Sequence, residues 1–174
     1  KYLQQLIDLA FQMHNTKQAE KYLVEYLQLD PLQKDYRWQL VQIYFQKKQY
    51  AKARQELLFL VEKTPDDTAA WLQLAEISLK EKNTAEATRF LQIAAAKNPQ
   101  NPQIALLAQK LDDLEFLLQA KALVSQNAYE KTLEHYQKLL NKYPTHAKLY
   151  LHLGLFHYFI GDMAAAQASL QKAV

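Results

Sequence analysis

The sequence predicts an all-α protein built as a run of antiparallel helix pairs, and three observations carry that prediction. The 174 residues include only two glycines and five prolines, too few turn formers for the frequent tight turns of a β fold. Ala, Leu, Gln, Lys and Glu dominate, and all are good helix formers. Pro31, Pro65 and Pro99 stand 34 residues apart, and Pro144 follows 45 residues later, one further period plus eleven. Between the prolines, apolar residues recur at spacings of three and four, as in Leu3, Leu6, Ile7, Ala10 and Phe11, or Leu133, Tyr136, Leu139 and Leu140. That spacing is the mark of amphipathic helices.

The proline register divides the chain into five units, 1–33, 34–67, 68–101, 113–146 and 147–174, with 102–112 left over as an eleven-residue insert. The whole of 1–174 then reads as a single solenoid. Each unit is two helices, and the turn inside each pair falls at residues that tolerate left-handed backbone: Asn15, Asn83, Asn127 and Gly161, with Lys48 and Gln49 as the exception. Helix-start signals separate the units, including Asp66, Thr68 and Asn101 ahead of Pro102. No such hairpin can bury its apolar face alone, so neighbours must stack into a curved array with a concave surface. Trp71 is expected between the paired helices of the third unit.

An insert of eleven residues advances a helix by about three turns with about 20° of drift, so one long helix can absorb it. Ile104, Leu107, Leu111, Leu114 and Leu118 keep helical spacing with no breaker up to Val124, which favours that form. A short helix over 102–110, bent away near Asp112 and Asp113, is the competing form.

The repeat has a recognisable content. The third unit carries Trp71, Leu74, Ala75, Ala87, Leu91, Ala94 and Pro99, and the fifth carries Tyr150, Leu153, Gly154, His157, Ala166, Leu170 and Ala173. The second supplies Leu40, Tyr44, Ala53, Leu57 and Pro65, and the first Leu6, Ala19, Leu23 and Pro31. The fourth keeps Phe116, Ala120, Leu123, Tyr136 and Pro144, but Gln119 replaces a Leu and Thr132 stands where the others have Ala. These spacings resemble the tetratricopeptide repeat family. The resemblance implies a right-handed superhelical solenoid and a scaffold or adaptor that binds a peptide or helix of a partner protein in its concave groove. The alternative is a structural spacer or self-association segment, its groove filled by flanking repeats or by a second copy.

Composition narrows the classes further. The formal charge is +3, with both signs interleaved, so no nucleic-acid or membrane-surface field is expected. The densest basic run, Lys47, Lys48, Lys52 and Arg54, straddles a turn and reads as a solvated surface. There is no cysteine, which removes disulfides, thiolate zinc sites and cysteine nucleophiles together. No apolar stretch is long enough to span a membrane. The chain opens at Lys1 without a methionine and stops at Val174 inside a helical pattern, which reads as a piece of a longer protein.

Catalysis is not expected: there is no glycine-rich phosphate loop and no H-E-x-x-H helix. His152 and His157 are five residues apart, about 140° around a helix, so they cannot share a metal. His14, His135 and His146 read as surface or structural residues, and the tyrosines as packing residues with a polar tip. Neither cofactor nor metal is expected. A pentatricopeptide RNA binder is disfavoured, because the concave positions carry no regular polar code and no phosphate-binding charge.

The resemblance also maps a groove, since in this family the first helix of each hairpin lines the concave side. The mapped positions are Gln4, Gln5, Asp8, Phe11 and Gln12, then Trp38, Gln39, Gln42, Phe45 and Gln46, then Leu72, Gln73, Glu76, Leu79 and Lys80. In the fourth and fifth units they are Leu114, Leu117, Leu118, Lys121 and Val124, then Leu151, His152, Leu155, Tyr158 and Phe159. The first half is amide-rich and the second apolar. Co-chaperone members of the family grip a terminal carboxylate with cations, whereas the matching positions here are Gln4, Asp8, Gln39, Ala69 and Gln73, so that mode is not expected. The last unit, ending without a polar capping helix, is a candidate for self-association.

Overall fold

A computed structural model describes residues 2–174. Ten helices account for most of them, and no strand occurs among the described residues. They run α1 (Tyr2–Gln12), α2 (Thr16–Leu29), α3 (Lys34–Gln46), α4 (Tyr50–Lys63), α5 (Thr68–Lys80), α6 (Thr84–Lys97), α7 (Pro102–Ser125), α8 (Tyr129–Lys142), α9 (Ala147–Phe159) and α10 (Met163–Lys172). The chain divides into two compact units: the first ends at Ala108 and the second runs Gln109–Val174. The division falls inside α7, which is a single helix of 24 residues. No helix among the described residues is long and apolar enough to cross a membrane.

In the first unit the pairs α1/α2, α3/α4 and α5/α6 stack in chain order, with α2 on α3 and α4 on α5. The repeated alanines sit where helices approach most closely: Ala19, Ala53 and Ala87 are completely buried. Four residues further along each second helix, Leu23, Leu57 and Leu91 fill the space beside them. Ion pairs pin neighbouring hairpins together. Lys47 Nζ reaches Glu20 Oε2 at 2.5 Å, and Arg54 bonds Glu86 Oε2 at 2.9 Å as well as Glu81. Arg37 lies buried, donating through Nε to Pro31 O at 2.8 Å, pairing with Glu56 and stacking 3.5 Å over the Phe59 ring.

The second unit is organised around Phe116, Tyr136, Leu140, Leu149 and Phe156. Phe116 meets Tyr136 edge-on at 4.5 Å and lies parallel to the His135 ring at 4.8 Å. Thr132 is completely buried at the position of the repeated alanines, and its hydroxyl donates to Ala128 O at 3.0 Å. That internal bond satisfies the polar atom which distinguishes it from Ala. Gly154 of α9 lies against α10, where an added Cβ would come 2.7 Å from Leu170 Cγ.

Several local expectations need correction. The left-handed residues of the first and third hairpins are His14 (φ 51°) and Lys82 (φ 60°), each one place before the expected Asn. Asn15 and Asn83 instead cap the following helices, accepting from Gln18 N and Glu86 N. Lys48, Asn127 and Gly161 do take positive φ. Asp67, not Asp66, caps α5 by accepting from Ala70 N at 3.3 Å, while Asp66 pairs with Lys97 at 2.5 Å. Trp71 does approach Phe90 of the paired helix, at 5.9 Å, but stays half-buried, its indole N–H donating to Pro65 O at 2.8 Å.

Candidate functional site

The mapped positions of the first unit fall into three groups. Gln4 is used internally: its amide donates to Tyr26 Oη at 3.1 Å. Trp38 Nε1 points to Asp67 Oδ2 of the next hairpin at 3.4 Å, and Phe45 packs edge-on to Tyr50 of its own hairpin at 5.6 Å, so both serve internal packing. Leu72 is buried, and Gln73 and Glu76 are half-buried on α5. Gln5 and Asp8 are exposed on α1.

Phe11, Gln39 and Gln42 form the third group, because the fold brings them together. They line an open cavity of about 390 Å³ between α1 and α3, with Ala10, His14, Thr16, Ile43 and Gln46. Residues 39, 42, 43 and 46 form one stripe of α3, at helical spacing, facing Ala10 and Phe11 of α1 and His14 of the turn that follows it. The amide oxygen of Gln39 is buried without a hydrogen-bond partner. Sequence reasoning omitted His14, the left-handed residue of a turn it placed one position late, and Thr16, the first residue of α2. Ala10, one of the apolar residues at helical spacing in α1, lines this cavity as well.

In the second unit Leu117 and Val124 turn inward and pack on the core. Leu118 and Lys121 are exposed on α7. His152 is half-buried, its imidazole pushed below the ordinary histidine value by burial and then by Lys148, against an opposing pull from Asp113. On α9, Leu151, Leu155, Tyr158 and Phe159 are 42%, 54%, 63% and 62% exposed, although Leu149, Gly154 and Phe156 of the same helix are buried. Tyr129, which sequence reasoning missed, extends this surface from the start of α8, with its ring 6.1 Å from Phe159.

Ionisable groups in the second unit cluster around structural contacts. Burial raises the Asp112 carboxyl, but hydrogen bonds from Lys142 and Tyr143 outweigh it and hold the group below its usual range. Tyr136 is pushed up to about 12 by burial. His135 is held low by burial and then by Lys138. No group of three or more metal-ligating side chains converges among the described residues.

Comparison with known proteins agrees with this architecture. No curated protein matches the chain in sequence. Among solved structures, MamA from Desulfovibrio magneticus is 18% identical with a TM-score of 0.60, over 99% of this chain and 91% of that one. A tetratricopeptide repeat protein from Parabacteroides merdae is 15% identical with a TM-score of 0.60, covering 98% of this chain and 62% of that one. YrrB, described as a TPR protein with an unusual peptide-binding site, is 16% identical with a TM-score of 0.50, over 96% and 80%. At these identities the likeness is one of fold. Models of the tetratricopeptide repeat match residues 10–68, 60–111, 116–146 and 147–174, and the stacked hairpins with their buried alanines bear out the same pattern: the chain belongs to the tetratricopeptide repeat family.

Proposed function

We propose that the chain holds a partner protein against the first helices of its hairpins, and that the second unit receives an amphipathic helix along α9. The observation behind this reading is that α9 is apolar on its outward side as well as on its core side, apart from Lys148 in its first turn and the half-buried His152 and His157. Leu149, Gly154 and Phe156 face the core, while Leu151, Leu155, Tyr158 and Phe159 face outward at spacings of four, three and one. A helix that is apolar all round is adapted to contact on both faces, and a stripe at this spacing suits the apolar stripe of a second helix. Lys121 and Lys148 are exposed on the same two first helices, which favours acidic flanks on the partner. The described peptide-binding site of YrrB is consistent with such use of the fold. The role assigned is holding, not catalysis.

The double variant Leu155→Glu/Phe159→Glu tests the reading. Both side chains are more than half exposed, so the variant stays folded by circular dichroism and loses capture of the partner. A folded variant with unchanged capture overturns the assignment to α9. A second reading, self-association, draws on an apolar recess of about 520 Å³ at α10 lined by Tyr158, Met163, Leu170 and Val174. Sedimentation showing concentration-dependent dimers that Met163→Glu abolishes favours this second reading.

A further inference from the structure

We infer that the recess between α8 and α10 is a subsite for a tryptophan side chain of a partner polypeptide, its indole N–H donated to Pro144 O and its ring seated beside Tyr150 and Lys172. Tyr150 and Leu153 belong to the core side of α9, so the inference does not rest on the outward stripe of that helix.

The repeat shows which group is missing there. In the second hairpin Arg37 donates through Nε to Pro31 O at 2.8 Å, and in the third Trp71 donates through Nε1 to Pro65 O, also at 2.8 Å. Each flat side chain then meets a residue of its paired helix: Arg37 pairs with Glu56, and Trp71 packs on Phe90 with ring centroids 5.9 Å apart. In the fifth hairpin the equivalent places fall to Pro144, Tyr150 and Ser169. Tyrosine has no N–H on its ring, and among the described residues no hydrogen bond is donated to Pro144 O. Ala168 and Ser169 of α10 stand where α6 has Arg89 and Phe90, and the volume so lost is an open recess of about 310 Å³ bounded by α8, Pro144, α9 and α10. That is the lower end of the range of about 300–1,000 Å³ usual for ligand sites, room for one large side chain rather than a helix.

The lining decides which flat donor fits. Its apolar floor is Leu140 and Leu153, and its one charge is the Lys172 ammonium, held 5.5 Å from the centre of the Tyr150 ring. Among the described residues the ion pairs of the second unit are Lys142 with Asp112, His146 with Asp113 and His157 with Asp162, and Lys172 belongs to none of them. A guanidinium is therefore opposed. The carboxylate that receives Arg37 in the second hairpin has its counterpart in Ser169, and the Phe59 ring over which Arg37 stacks at 3.5 Å has its counterpart in Lys172. An indole meets neither difficulty, because it is neutral and the negative face of its ring attracts the ammonium. At the rim Gln137 donates to Asn141 Oδ1 at 3.2 Å. That bond leaves the Asn141 N–H groups and the Gln137 oxygen for the backbone on either side of an inserted tryptophan, which favours a polypeptide over a free indole.

The test uses acetylated, amidated pentapeptides, Gly-Gly-X-Gly-Gly, with X as Trp, 1-methyl-Trp, Arg or Leu, together with 3-methylindole. Binding is read in the whole chain from the NMR signals of the Ser169 backbone amide and of the Gln137 and Asn141 side-chain amides. The Trp peptide is expected to move all three, with the other peptides and 3-methylindole about tenfold weaker, the weight of one hydrogen bond or one lost contact. Lys172→Gln lowers binding of the Trp peptide about threefold, as loss of an exposed cation–π contact does. Ser169→Phe, which restores the filling that Phe90 provides in the third hairpin, abolishes it. The inference is overturned if no peptide moves these signals, or if the 1-methyl-Trp or Arg peptide binds as well as the Trp peptide. Equal binding of 3-methylindole overturns the partner chain as the source of the indole. The ligand series needs no variant to fold. In Leu155→Glu/Phe159→Glu the shifts are expected unchanged, and their loss there overturns the assignment to this recess.

Discussion

At Gly154 the backbone of α9 approaches α10 closely enough that a methyl group has no room: an added Cβ would meet Leu170 Cγ at 2.7 Å and Ala166 O at 3.3 Å. Alanine normally stabilises a helix interior relative to glycine by about 0.5–1 kcal/mol, but overpacking costs about 1–3 kcal/mol. Because Ala166 O belongs to the backbone and cannot swing aside, the clash wins. Gly154→Ala should therefore destabilise the second unit by about 1 kcal/mol, checked by denaturant unfolding. An increase in stability would mean that Leu170 moves away freely. This contact was legible in the sequence, since Gly154 and Ala166 occupy small-residue positions of the repeat. Thr132 was legible only as an anomaly, because nothing in the sequence says that its hydroxyl bonds to Ala128 O. The unpaired oxygen of Gln39 could not be read at all: it depends on what α1 places opposite it.

Among elements, the hairpin turns show where periodicity stops informing. The repeat register anticipated ten helices and no strand, yet it misassigned the left-handed residue in two turns by one place. Asparagine serves both left-handed backbone and helix capping, and in α2 and α6 the capping role wins because the side chain satisfies an otherwise free N–H. The left-handed place then falls to whatever precedes it. Lys82 holds φ at 60° while exposed, so its side chain contributes little packing to offset the backbone cost. Lys82→Gly relieves that cost, about 1–2 kcal/mol for an L residue, against about 0.5–1 kcal/mol of lost chain entropy. A rise in thermal midpoint is the expected result; a fall would show that the lysine stem packs on the turn in solution. Placement of the groove was legible in part for the same reason. Register gives the face of a helix, but Leu117 and Val124, on the mapped side of α7, turn into the core, a choice made by the neighbours.

The two units of the molecule differ in how they respond to acid. Of the four half-buried histidines of the second unit, His135 and His152 are held below the ordinary value chiefly by burial, with Lys138 and Lys148 adding to it. Between that lowered value and the unfolded value of about 6.5, the unfolded chain binds more protons than the folded one, so stability falls as pH falls. Amide exchange in residues 109–174 should therefore accelerate from about pH 7.5 to about pH 5.5, after correction for intrinsic rates, by more than in the first unit, whose sole histidine, His14, is exposed. The double variant His135→Gln/His152→Gln should remove most of that difference; an unchanged pH response would assign it elsewhere. The outward side of α9 has a consequence of another kind. Leu155, Tyr158 and Phe159 stand in water whenever nothing covers them, and such surfaces adhere to one another more as concentration rises. On the proposed reading, an excess of this chain over its partner is a burden in crowded conditions, so production of the two has to keep pace, and the partner acts as a solubiliser as well as a client.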